Sequence, residues 1–327
     1  MKKNLYRCYS LFRYGGWDYI WAKILKKIWG NKGAKRAKRA LYLKAEKMKP
    51  EKYADEIQKV YALKTGKRLN LKNPCTFNEK MQWLKLYDST PIKTTLSDKY
   101  LVREWIKEKI GEEYLIPLIG VWDKFEDIDL DKLPNSFALK ANHGSGWNVI
   151  VKDKTKVDWE EVRQKFNKWM QLNYTFEVTG FQLQYLNIAP KIIAEEYIEN
   201  QNGNLYDYKI HCFNGKPEYI QLIGDRGLKG NSTKQAFYDT DWNLQPFTHS
   251  NFSPYEKEME RPVNLDRMIQ IAKTLSNGFP YVRVDLYELD NGDIKFGEMT
   301  FTPRSGFFQW IPPETDNLWG DKIKLPL

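Results

Sequence analysis

The stretch from Tyr281 to Gly306 constrains the fold more tightly than any other part of the sequence. Its first half, Tyr281–Leu289, alternates between apolar and polar residues, as a half-buried β-strand does. One face of this strand carries three polar side chains: Arg283, Asp285 and Tyr287. The pair Asn291-Gly292 then favours a tight turn, because Asn and Gly tolerate the positive φ angles that such turns need. We therefore predict a β-hairpin whose second strand is Ile294–Thr302.

The register of this hairpin decides which side chains face each other. A turn that is symmetric about Asn291-Gly292 sets Asp285 opposite Glu298 and Arg283 opposite Thr300. It also places three side chains on one face of the return strand: Phe296, Glu298 and Thr300. A three-residue loop would instead shift the register by one residue and break this pairing.

Two carboxylates directly opposite each other predict a metal site. Opposed Cβ atoms in an antiparallel pair are about 5 Å apart, and like charges at that distance repel. A hard divalent cation with oxygen ligands would neutralise Asp285 and Glu298, and Arg283 adds an anion-binding group on the same face. We therefore predict a site for a metal-bound phosphate. The alternative is a surface hairpin whose charges are merely solvated.

The 327 residues are enough for two or three domains, and their charge is unevenly distributed. Residues 1–50 contain 15 Lys and Arg against two acidic residues, so they carry +13 and the rest of the chain carries about −3 of the net +10. Because the basic character belongs to one terminal segment, we do not expect nucleic acid as a partner.

Several features predict a cytoplasmic protein. No apolar run is long enough to span a membrane, and the N-terminus lacks the apolar block of a secretory signal. The three cysteines, Cys8, Cys75 and Cys212, have no metal-binding spacing and cannot all pair, which fits a reducing compartment.

An amphipathic helix is predicted near the N-terminus. Its apolar residues recur three and four positions apart: Trp17, Ile20, Trp21, Ile24, Leu25, Ile28 and Trp29. Gly30 to Gly33 should end the helix, and a basic segment, Lys35–Arg39, follows. The helix either packs on the body of the protein or lies at a membrane surface, with its cations toward anionic lipid. The second interpretation predicts peripheral contact of residues 1–40 with the inner face of the cytoplasmic membrane.

The middle of the chain alternates between helical and strand patterns. Helices are predicted at Gln58–Leu69, Thr76–Leu86 (opened by a Thr76-x-x-Glu79 capping box), Ser97 to about Lys109, Trp159–Leu172 and Asp266–Leu275. Strands are predicted at Tyr114–Ile119, Phe137–Lys140, Asn148–Lys152, Lys191–Glu199, Tyr206–Phe213, Lys216–Ile223, Phe237–Asp241 and Asn243–Phe247. The loop Gly144-Ser145-Gly146 could approach phosphate through its backbone amides, beside Lys140, although a plain turn explains it as well.

The order of these parts resembles that of an ATP-grasp enzyme, and specifically of the TupA-like ATP-grasp family associated with bacterial surface-polysaccharide synthesis. The resemblance extends from about Asn73 to the C-terminus. Arg283-x-Asp285, Glu298-x-Thr300 and Pro303-Arg304-Ser305-Gly306 resemble the R-x-D … E-x-N-x-x-P-G pattern of the D-alanine–D-alanine ligases. In that pattern Asp, Glu and Asn hold magnesium, and Arg contacts the transferred phosphate. Thr300 stands where most relatives have Asn, and threonine is the weaker metal ligand.

The resemblance also implies the other site residues. Asp98-Lys99 and Lys140 resemble the two nucleotide-contacting lysines, Gly144–Gly146 the flexible loop over the phosphates, and Ala194–Ile198 the hinge that holds adenine. The implied ATP contacts are Lys99, Lys140, Gly144, Ser145, Gly146, Glu195, Glu196 and Ile198. The implied Mg²⁺ ligands are Asp285, Glu298 and Thr300. Catalytic roles fall to Arg283, Arg304 and Lys209.

The resemblance implies an α+β ATP-grasp fold that follows a basic, mostly helical N-terminal segment. The expected parts are residues 1–72, a pre-ATP part at 73–135, a small α/β part at 136–200, and a C-terminal antiparallel sheet at 201–327. The implied reaction is the attack of a substrate carboxylate on the γ-phosphate of ATP, followed by displacement of phosphate by an amine. Such a reaction needs positioning and charge neutralisation more than a protein nucleophile.

Three functions compete at this point. The first is a ligase that joins an amino acid or other amine to a carboxylate of a polysaccharide or lipid-linked glycan. The second is a metal-dependent glycosyltransferase that uses the D-x-D sequence Asp239-Thr240-Asp241, although turn chemistry also explains this motif. The third is a non-catalytic membrane scaffold that acts through the basic N-terminal helix.

Overall fold

The computed structural model describes residues 17–199, 205–224, 233–255 and 257–326. These residues form an α+β fold, as the sequence predicts. The helices are α1 (Trp17–Glu46), α2 (Tyr53–Thr65), α3 (Phe77–Tyr87), α4 (Pro91–Ser97), α5 (Val102–Lys109), α6 (Trp159–Trp169), α7 (Leu265–Ser276) and α8 (Thr315–Asp321). The strands are β1 (Leu118–Trp122), β2 (Phe137–Ala141), β3 (Asn148–Val151), β4 (Ile192–Glu196), β5 (Asp207–Phe213), β6 (Lys216–Gly224), β7 (Lys234–Asp239), β8 (Thr248–His249), β9 (Tyr281–Glu288), β10 (Ile294–Thr300) and β11 (Trp310–Ile311).

Helix α1 is longer than the sequence predicts. Gly30 leaves the helical geometry, with φ 54° and ψ −134°, but the helix resumes after it and ends at Glu46. The prediction that Gly30 ends the helix was therefore wrong. Glycine adopts a positive φ without the steric cost of a Cβ atom, so it produces a kink here, and the basic segment Lys35–Arg39 is helical.

The apolar stripe of α1 faces outward where its side chains are described. Trp21 is 59% exposed, Ile24 37% and Ile28 66%. The side chains of Trp17, Ile20, Leu25 and Trp29 lie outside the described residues. No helix in the described part of the chain is both long enough and apolar enough to cross a lipid bilayer.

The helices that follow show where local sequence decided the outcome. The predicted capping box starts α3: the Thr76 hydroxyl accepts from the Glu79 amide (3.2 Å), and the Glu79 carboxylate accepts from the Thr76 amide (3.1 Å). The helix predicted to begin at Ser97 is instead two helices, α4 and α5. The Asp98 carboxylate accepts from the amides of the two residues after Lys99 (2.8 and 3.2 Å), and this turn holds Lys99 between the helices.

The smaller sheet is antiparallel, with the order β1-β4-β2-β3. Its strand β1 begins at Leu118, four residues later than predicted, and belongs to this sheet although it precedes residue 136. Phe137, Leu139 and Val151 are fully buried and pack against α6 through Phe166. The C-terminal end of α1 and helix α2 add Tyr42 and other side chains to the same core. The N-terminal segment is thus attached to the small sheet.

The larger sheet is antiparallel as predicted, with the order β10-β9-β5-β6-β7. The apolar face of β9, from Val282 to Leu286, packs against the buried face of α7, which includes Met268 and Leu275. The opposite face carries the alternating polar residues of β5 and β9. Because successive side chains of a strand point to opposite faces, one buried face leaves a polar face available for a site.

Two parts of the C-terminal region differ from the sequence-based prediction. The expected return strand Asn243–Phe247 is absent, and only a single bridge joins Tyr238 to Leu244. Instead, β8 pairs with β11, a strand that the sequence did not predict. Helix α8 was also missed, and its Trp319 is fully buried in a cluster of aromatic rings. These elements are short, and their apolar residues gain burial only through distant partners.

The hairpin of β9 and β10 has the predicted pairing but not the predicted turn. The loop has three residues, because the Leu289 amide donates to the Asp293 carbonyl (2.8 Å), and this shifts the register by one. A bulge at Gly297 shifts it back, so that Asp285 lies opposite Glu298 and Arg283 opposite Thr300. A bulge opposes two residues to one on the partner strand.

The same bulge corrects the placement of one side chain. Phe296 pairs with Leu286 and packs in the core cluster with it, whereas the sequence placed Phe296 on the face of Glu298. Paired residues share a face, so the extra residue moves Glu298 and Thr300 to the polar face while Phe296 stays with the apolar one.

Candidate active site

A cavity of about 520 Å³ lies between the two sheets and is lined by residues from both. Eleven of the fourteen site residues assigned from the sequence line it: Lys99, Lys140, Ser145, Gly146, Glu195, Lys209, Arg283, Asp285, Glu298, Thr300 and Arg304. The other three, Gly144, Glu196 and Ile198, do not. The described structure therefore gathers segments as far apart in sequence as Lys99 and Arg304 into one cleft.

Strands β9 and β10 build the acidic wall of the cleft. Asp285 is 1% exposed, so the alternative of a hairpin with solvated charges does not hold. The Arg283 guanidinium donates to both Asp285 oxygens (Nε–Oδ1 2.6 Å, Nη2–Oδ2 2.7 Å) and to Glu298 Oε1 (3.0 Å). A cation thus spans both carboxylates and relieves the repulsion that the pairing would otherwise create.

Lys209 extends this charge network to strand β5. It lies opposite Asp285 in the ladder, and its Nζ bonds the Asp285 carboxylate and also Asp207 (2.9 Å). The sequence analysis did not assign Asp207 to the site. The alternation that places Asp207 and Lys209 on one face of β5 was the signal that could have identified it.

Glu298 is ionised at neutral pH. Burial raises the pKa of its carboxyl group, but the charges of Arg283, Lys209 and Lys99 outweigh burial and hold the pKa at about 2. The carboxylate therefore presents a full negative charge to the cleft, and its side chain remains about one-third exposed (33%).

The oxygen donors of this wall fit a nucleotide-bound magnesium ion. Mg²⁺ is usually held by one or two carboxylates together with substrate phosphates and water, and Asp285 and Glu298 are two such groups side by side. Thr300 donates its hydroxyl to Glu298 (2.9 Å) and accepts from Arg283 (3.0 Å). No group of three acidic, His or Cys side chains suited to a metal occurs among the described residues.

The small sheet builds the opposite wall, with two cations on one carboxylate. Glu195 on β4 receives the Lys140 ammonium on one oxygen and the Arg103 guanidinium on the other (2.9 Å). Arg103 lies on α5, lines the cleft, and was not predicted. Glu196 is exposed at the end of β4, and Ile198 follows the strand, so neither reaches the cavity.

The glycine-rich loop closes the cleft beside Lys99. The Lys99 ammonium donates to the Gly144 carbonyl, and burial lowers the pKa of Lys99. A Cβ atom on Gly144 would lie 2.6 Å from the Trp147 ring, so this position accommodates no side chain. Gly146 has φ +72° and borders the cavity. Gly144 is therefore favoured by the closeness of Trp147, and Gly146 by its positive φ angle. The first of these reasons is not a property of an ordinary turn.

Arg304 projects from an unusual turn. Arg304 and Ser305 have positive φ angles of 52° and 55°, which non-glycine residues rarely adopt, and Gly306 follows at 67°. Two buried side chains of α3 hold this turn: Lys85 donates to the Ser305 carbonyl (3.1 Å), and Gln82 donates to the Gly306 carbonyl (2.8 Å). Backbone strain of this kind persists only where surrounding contacts enforce it.

A family model described as TupA-like ATPgrasp matches residues 79–324, which is most of the chain. The chain belongs to the TupA-like ATP-grasp family. The fold class predicted from the sequence is thereby confirmed. The match includes both sheets and leaves α1 and α2 outside it. A comparison with curated proteins finds no match.

Solved structures are similar to this TupA-like protein only distantly. The L-amino acid ligase from Bacillus licheniformis is 14% identical over 70% of this chain and 49% of its own, with a TM-score of 0.43. The D-alanine–D-alanine ligase from Bacillus anthracis, complexed with ATP, is 18% identical over 76% and 72%, with a TM-score of 0.38. An N5-carboxyaminoimidazole ribonucleotide synthetase in its ADP complex is 12% identical over 69% and 51%, with a TM-score of 0.40. This chain spans about half the length of the first and third proteins.

The D-x-D motif of this TupA-like protein lies outside the cleft. Asp239 ends β7, and its carboxylate accepts from the amides of Asp241 (3.0 Å) and Asn243 (2.8 Å). This is the Asx-turn arrangement, in which the carboxylate serves the local backbone. None of the three residues lines the cavity. The structure therefore gives the motif a turn role and no part in the candidate site.

Proposed function

We propose that this protein is an ATP-dependent carboxylate–amine ligase that acts through an acyl phosphate and forms a carbon–nitrogen bond. Its acceptor is a carboxylate of a bacterial capsular or cell-wall polysaccharide or of a lipid-linked precursor. Its donor is an amino acid or another amine. The family match supports the class of enzyme, and the polysaccharide rests on the family resemblance alone.

One observation carries this proposal: a single cleft has paired carboxylates on one wall, and lysines from other segments of the chain line the rest of it. Asp285 and Glu298 provide oxygen ligands, while Lys99, between α4 and α5, and Lys140, on the small sheet, line the same cleft. A nucleoside triphosphate with its metal needs both cations and carboxylates. The phosphate oxygens bind cations, and the metal bound to the phosphates binds carboxylates. Arg283 donates from Nε and Nη2 to Asp285, and its guanidinium adds a cation between the carboxylates beside the place of the phosphates.

The chemistry then requires two displacements. A carboxylate oxygen of the acceptor attacks the γ-phosphorus of ATP, ADP leaves, and an acyl phosphate forms. The amine nitrogen attacks the acyl carbon, inorganic phosphate leaves, and the nitrogen loses a proton as the amide forms. Magnesium, held by Asp285 and Glu298 with Thr300 beside them, would neutralise charge on the phosphates. Arg283 and Arg304 would orient the transferred phosphoryl group and the acceptor, and Lys209 keeps Asp285 compensated.

The N-terminal segment supplies the proposed site of membrane contact. Trp21, Ile24 and Ile28 are exposed on α1, and the chain carries its excess positive charge in residues 1–50. An exposed apolar stripe beside cations suits the surface of an anionic bilayer. We propose that residues 1–40 hold the enzyme at the inner face of the cytoplasmic membrane, close to a lipid-linked acceptor.

The decisive experiment measures ADP release with candidate amines and bacterial surface glycans as substrates. Glu298→Gln should remove most ATP turnover, because it deletes one charge next to the phosphates while the side chain keeps its size. Asp285→Asn should do the same, but it also leaves Arg283 and Lys209 less compensated in a buried place, so its folding must be checked. Asp241→Asn is the matched control, since it makes the same acid-to-amide change on the surface.

The outcomes separate the candidate functions. Turnover lost in Glu298→Gln and kept in Asp241→Asn supports the ligase. Sugar transfer from a nucleotide sugar without ATP, abolished by Asp241→Asn, would instead support the glycosyltransferase. Normal magnesium-dependent turnover in Glu298→Gln and Asp285→Asn would show that the metal assignment is wrong.

A further inference from the structure

A second cavity adjoins the first at the turn Pro303–Gly306. Its volume is about 830 Å³, and three residues border both cavities: Arg304, Ser305 and Phe308. Pockets of roughly 300–1,000 Å³ enclose ligands the size of a drug molecule, which is larger than a single amino acid. The second cavity therefore extends the nucleotide cleft and has room for a second substrate beside ATP.

The charge of this cavity favours an anion. Lys64, Lys67 and Arg304 border it, whereas Asp316 is its one carboxylate. That carboxylate already accepts from the backbone amide (3.0 Å) and side-chain amide (3.1 Å) of Asn78. The cavity therefore has three cations against one carboxylate, which attracts a carboxylate more than an ammonium group.

Aromatic rings line much of the remaining wall. The rings of Phe308 and Trp310 are stacked, with centroids 5.1 Å apart and planes at 11°. Tyr61 and Phe307 add two more rings, 6.4 Å apart. Tyr61, Phe308 and Trp310 are almost fully buried, whereas Phe307 is half-buried and Ile311 is 52% exposed, so a ligand meets apolar surface as well as cations. A carboxylated molecule with an extended carbon skeleton matches both properties, whereas a compact anion such as phosphate would leave the apolar surface uncovered.

One wall of this cavity comes from outside the family match. Tyr61, Lys64 and Thr65 belong to α2, and Lys67 follows it, whereas the family match begins at residue 79. The nucleotide cleft is built by the matched residues, including Lys99, Lys140, Asp285 and Glu298. The second cavity is therefore where the N-terminal segment can contribute to the choice of substrate.

We propose that the second cavity binds the acceptor of the ligase reaction, an oligosaccharide that carries uronic-acid-type carboxylates. Lys64 and Lys67 bind carboxylates of the oligosaccharide, and Arg304 binds the reacting carboxylate where the two cavities meet. This inference rests on the proposed ligase function and specifies the substrate class and the residues that recognise it. The N-terminal segment would then help to select the acceptor, because its lysines line the cavity that shares Arg304 with the nucleotide cleft.

The test measures binding by isothermal titration calorimetry on the full-length protein without nucleotide. Tetragalacturonate is the carboxylated probe, and maltotetraose is the neutral probe of similar size. The variant Lys64→Glu/Lys67→Glu reverses two cations of the cavity. The matched control, Lys49→Glu/Lys52→Glu, makes the same change at two exposed lysines of the N-terminal segment that do not line the cavity. ATP affinity is measured on four proteins: the wild type, the two double variants and Glu298→Gln.

The wild type and the control should bind tetragalacturonate equally, and Lys64→Glu/Lys67→Glu should bind it at least about tenfold more weakly, since two attractive pairs become repulsive. Maltotetraose should not bind, and ATP affinity should be unchanged in both double variants. Equal tetragalacturonate binding by both double variants, equal binding of the two sugars, or no binding by the wild type would overturn the assignment. If the wild type does not bind ATP, the ligase proposal fails; if only the sugar results fail, the ligase proposal stands without this cavity.

Discussion

Lys85 should make the stability of the fold increase between pH 7 and pH 9. Its side chain is fully buried, and Nζ donates to the carbonyl oxygens of Gly180 (2.6 Å) and Ser305 (3.1 Å). Among the described residues, no charged group contributes to the shift in its pKa, which burial alone causes. Burial lowers the pKa of Lys85 from 10.5 to about 7. A neutral amine still has two N–H groups, which is the number that these two carbonyls require.

The direction and size of the effect follow from proton linkage. In the unfolded chain Lys85 stays protonated up to about pH 10.5, whereas the folded protein releases this proton near pH 7. Between these values the unfolded state binds more protons, so a rise in pH favours the folded state. From pH 7 to pH 9 the free energy of unfolding should increase by about 2 kcal/mol through this residue. Well below pH 7 Lys85 is protonated in both states, so it no longer makes the free energy of unfolding depend on pH.

Urea unfolding at pH 7, 8 and 9 measures the effect against two variants. Lys85→Met removes the titrating group and keeps an unbranched side chain of similar length, so its stability should lack the increase that the wild type shows. Lys165→Met, at an exposed lysine of α6, is the control and should follow the wild type. Parallel curves of unfolding free energy against pH for wild type and Lys85→Met would refute a lowered pKa for Lys85.

Three further predictions address the cleft, the bulge and the N-terminal segment. Lys140→Ala should weaken ATP binding by about 1.5–3 kcal/mol, as measured by calorimetry, because a charged hydrogen bond to phosphate is lost while Arg103 still pairs with Glu195. Gly297→Ala should destabilise the fold by about 1–3 kcal/mol in denaturant unfolding and lower ATP turnover, since its Cβ atom would lie 3.1 Å from the Asp285 carbonyl. Deleting residues 1–40 should abolish co-sedimentation with anionic liposomes; wild-type binding that is equal for neutral vesicles, or that survives the deletion, would contradict membrane contact.

The sequence predicted the acidic wall because its logic is local. Alternation along β9 and a turn signal at Asn291-Gly292 were enough to place Asp285 opposite Glu298. The prediction nevertheless assumed the wrong loop length and reached the correct pair because Gly297 adds a compensating residue. An isolated glycine inside a strand pattern indicates a bulge, so the sequence did contain this second signal. Its effect on Phe296 was missed because the bulge was not considered.

Residues that were missed belong mostly to contacts between distant segments. Arg103 pairs with Glu195, which is 92 positions away, and no local pattern relates α5 to β4. Helix α8 places Trp319 against rings from several other elements, so its burial depends on tertiary packing that a seven-residue helix does not reveal. Local periodicity predicts which face of an element is buried, but the partner of that face follows only from the whole fold.

The turn that carries Arg304 shows how far such long-range dependence reaches into the site. The motif Pro303–Gly306 indicated a functional residue, but its left-handed backbone is stabilised by Lys85 and Gln82 of α3, more than 200 positions earlier. Hydrogen bonds from these buried donors satisfy carbonyls that the strained turn could not pair within itself. The same turn separates the two cavities, so the position of the Arg304 guanidinium depends on how α3 packs beneath it. A change in the packing of α3 should therefore weaken acceptor binding more than nucleotide binding, because the lysines assigned to the nucleotide lie on other elements.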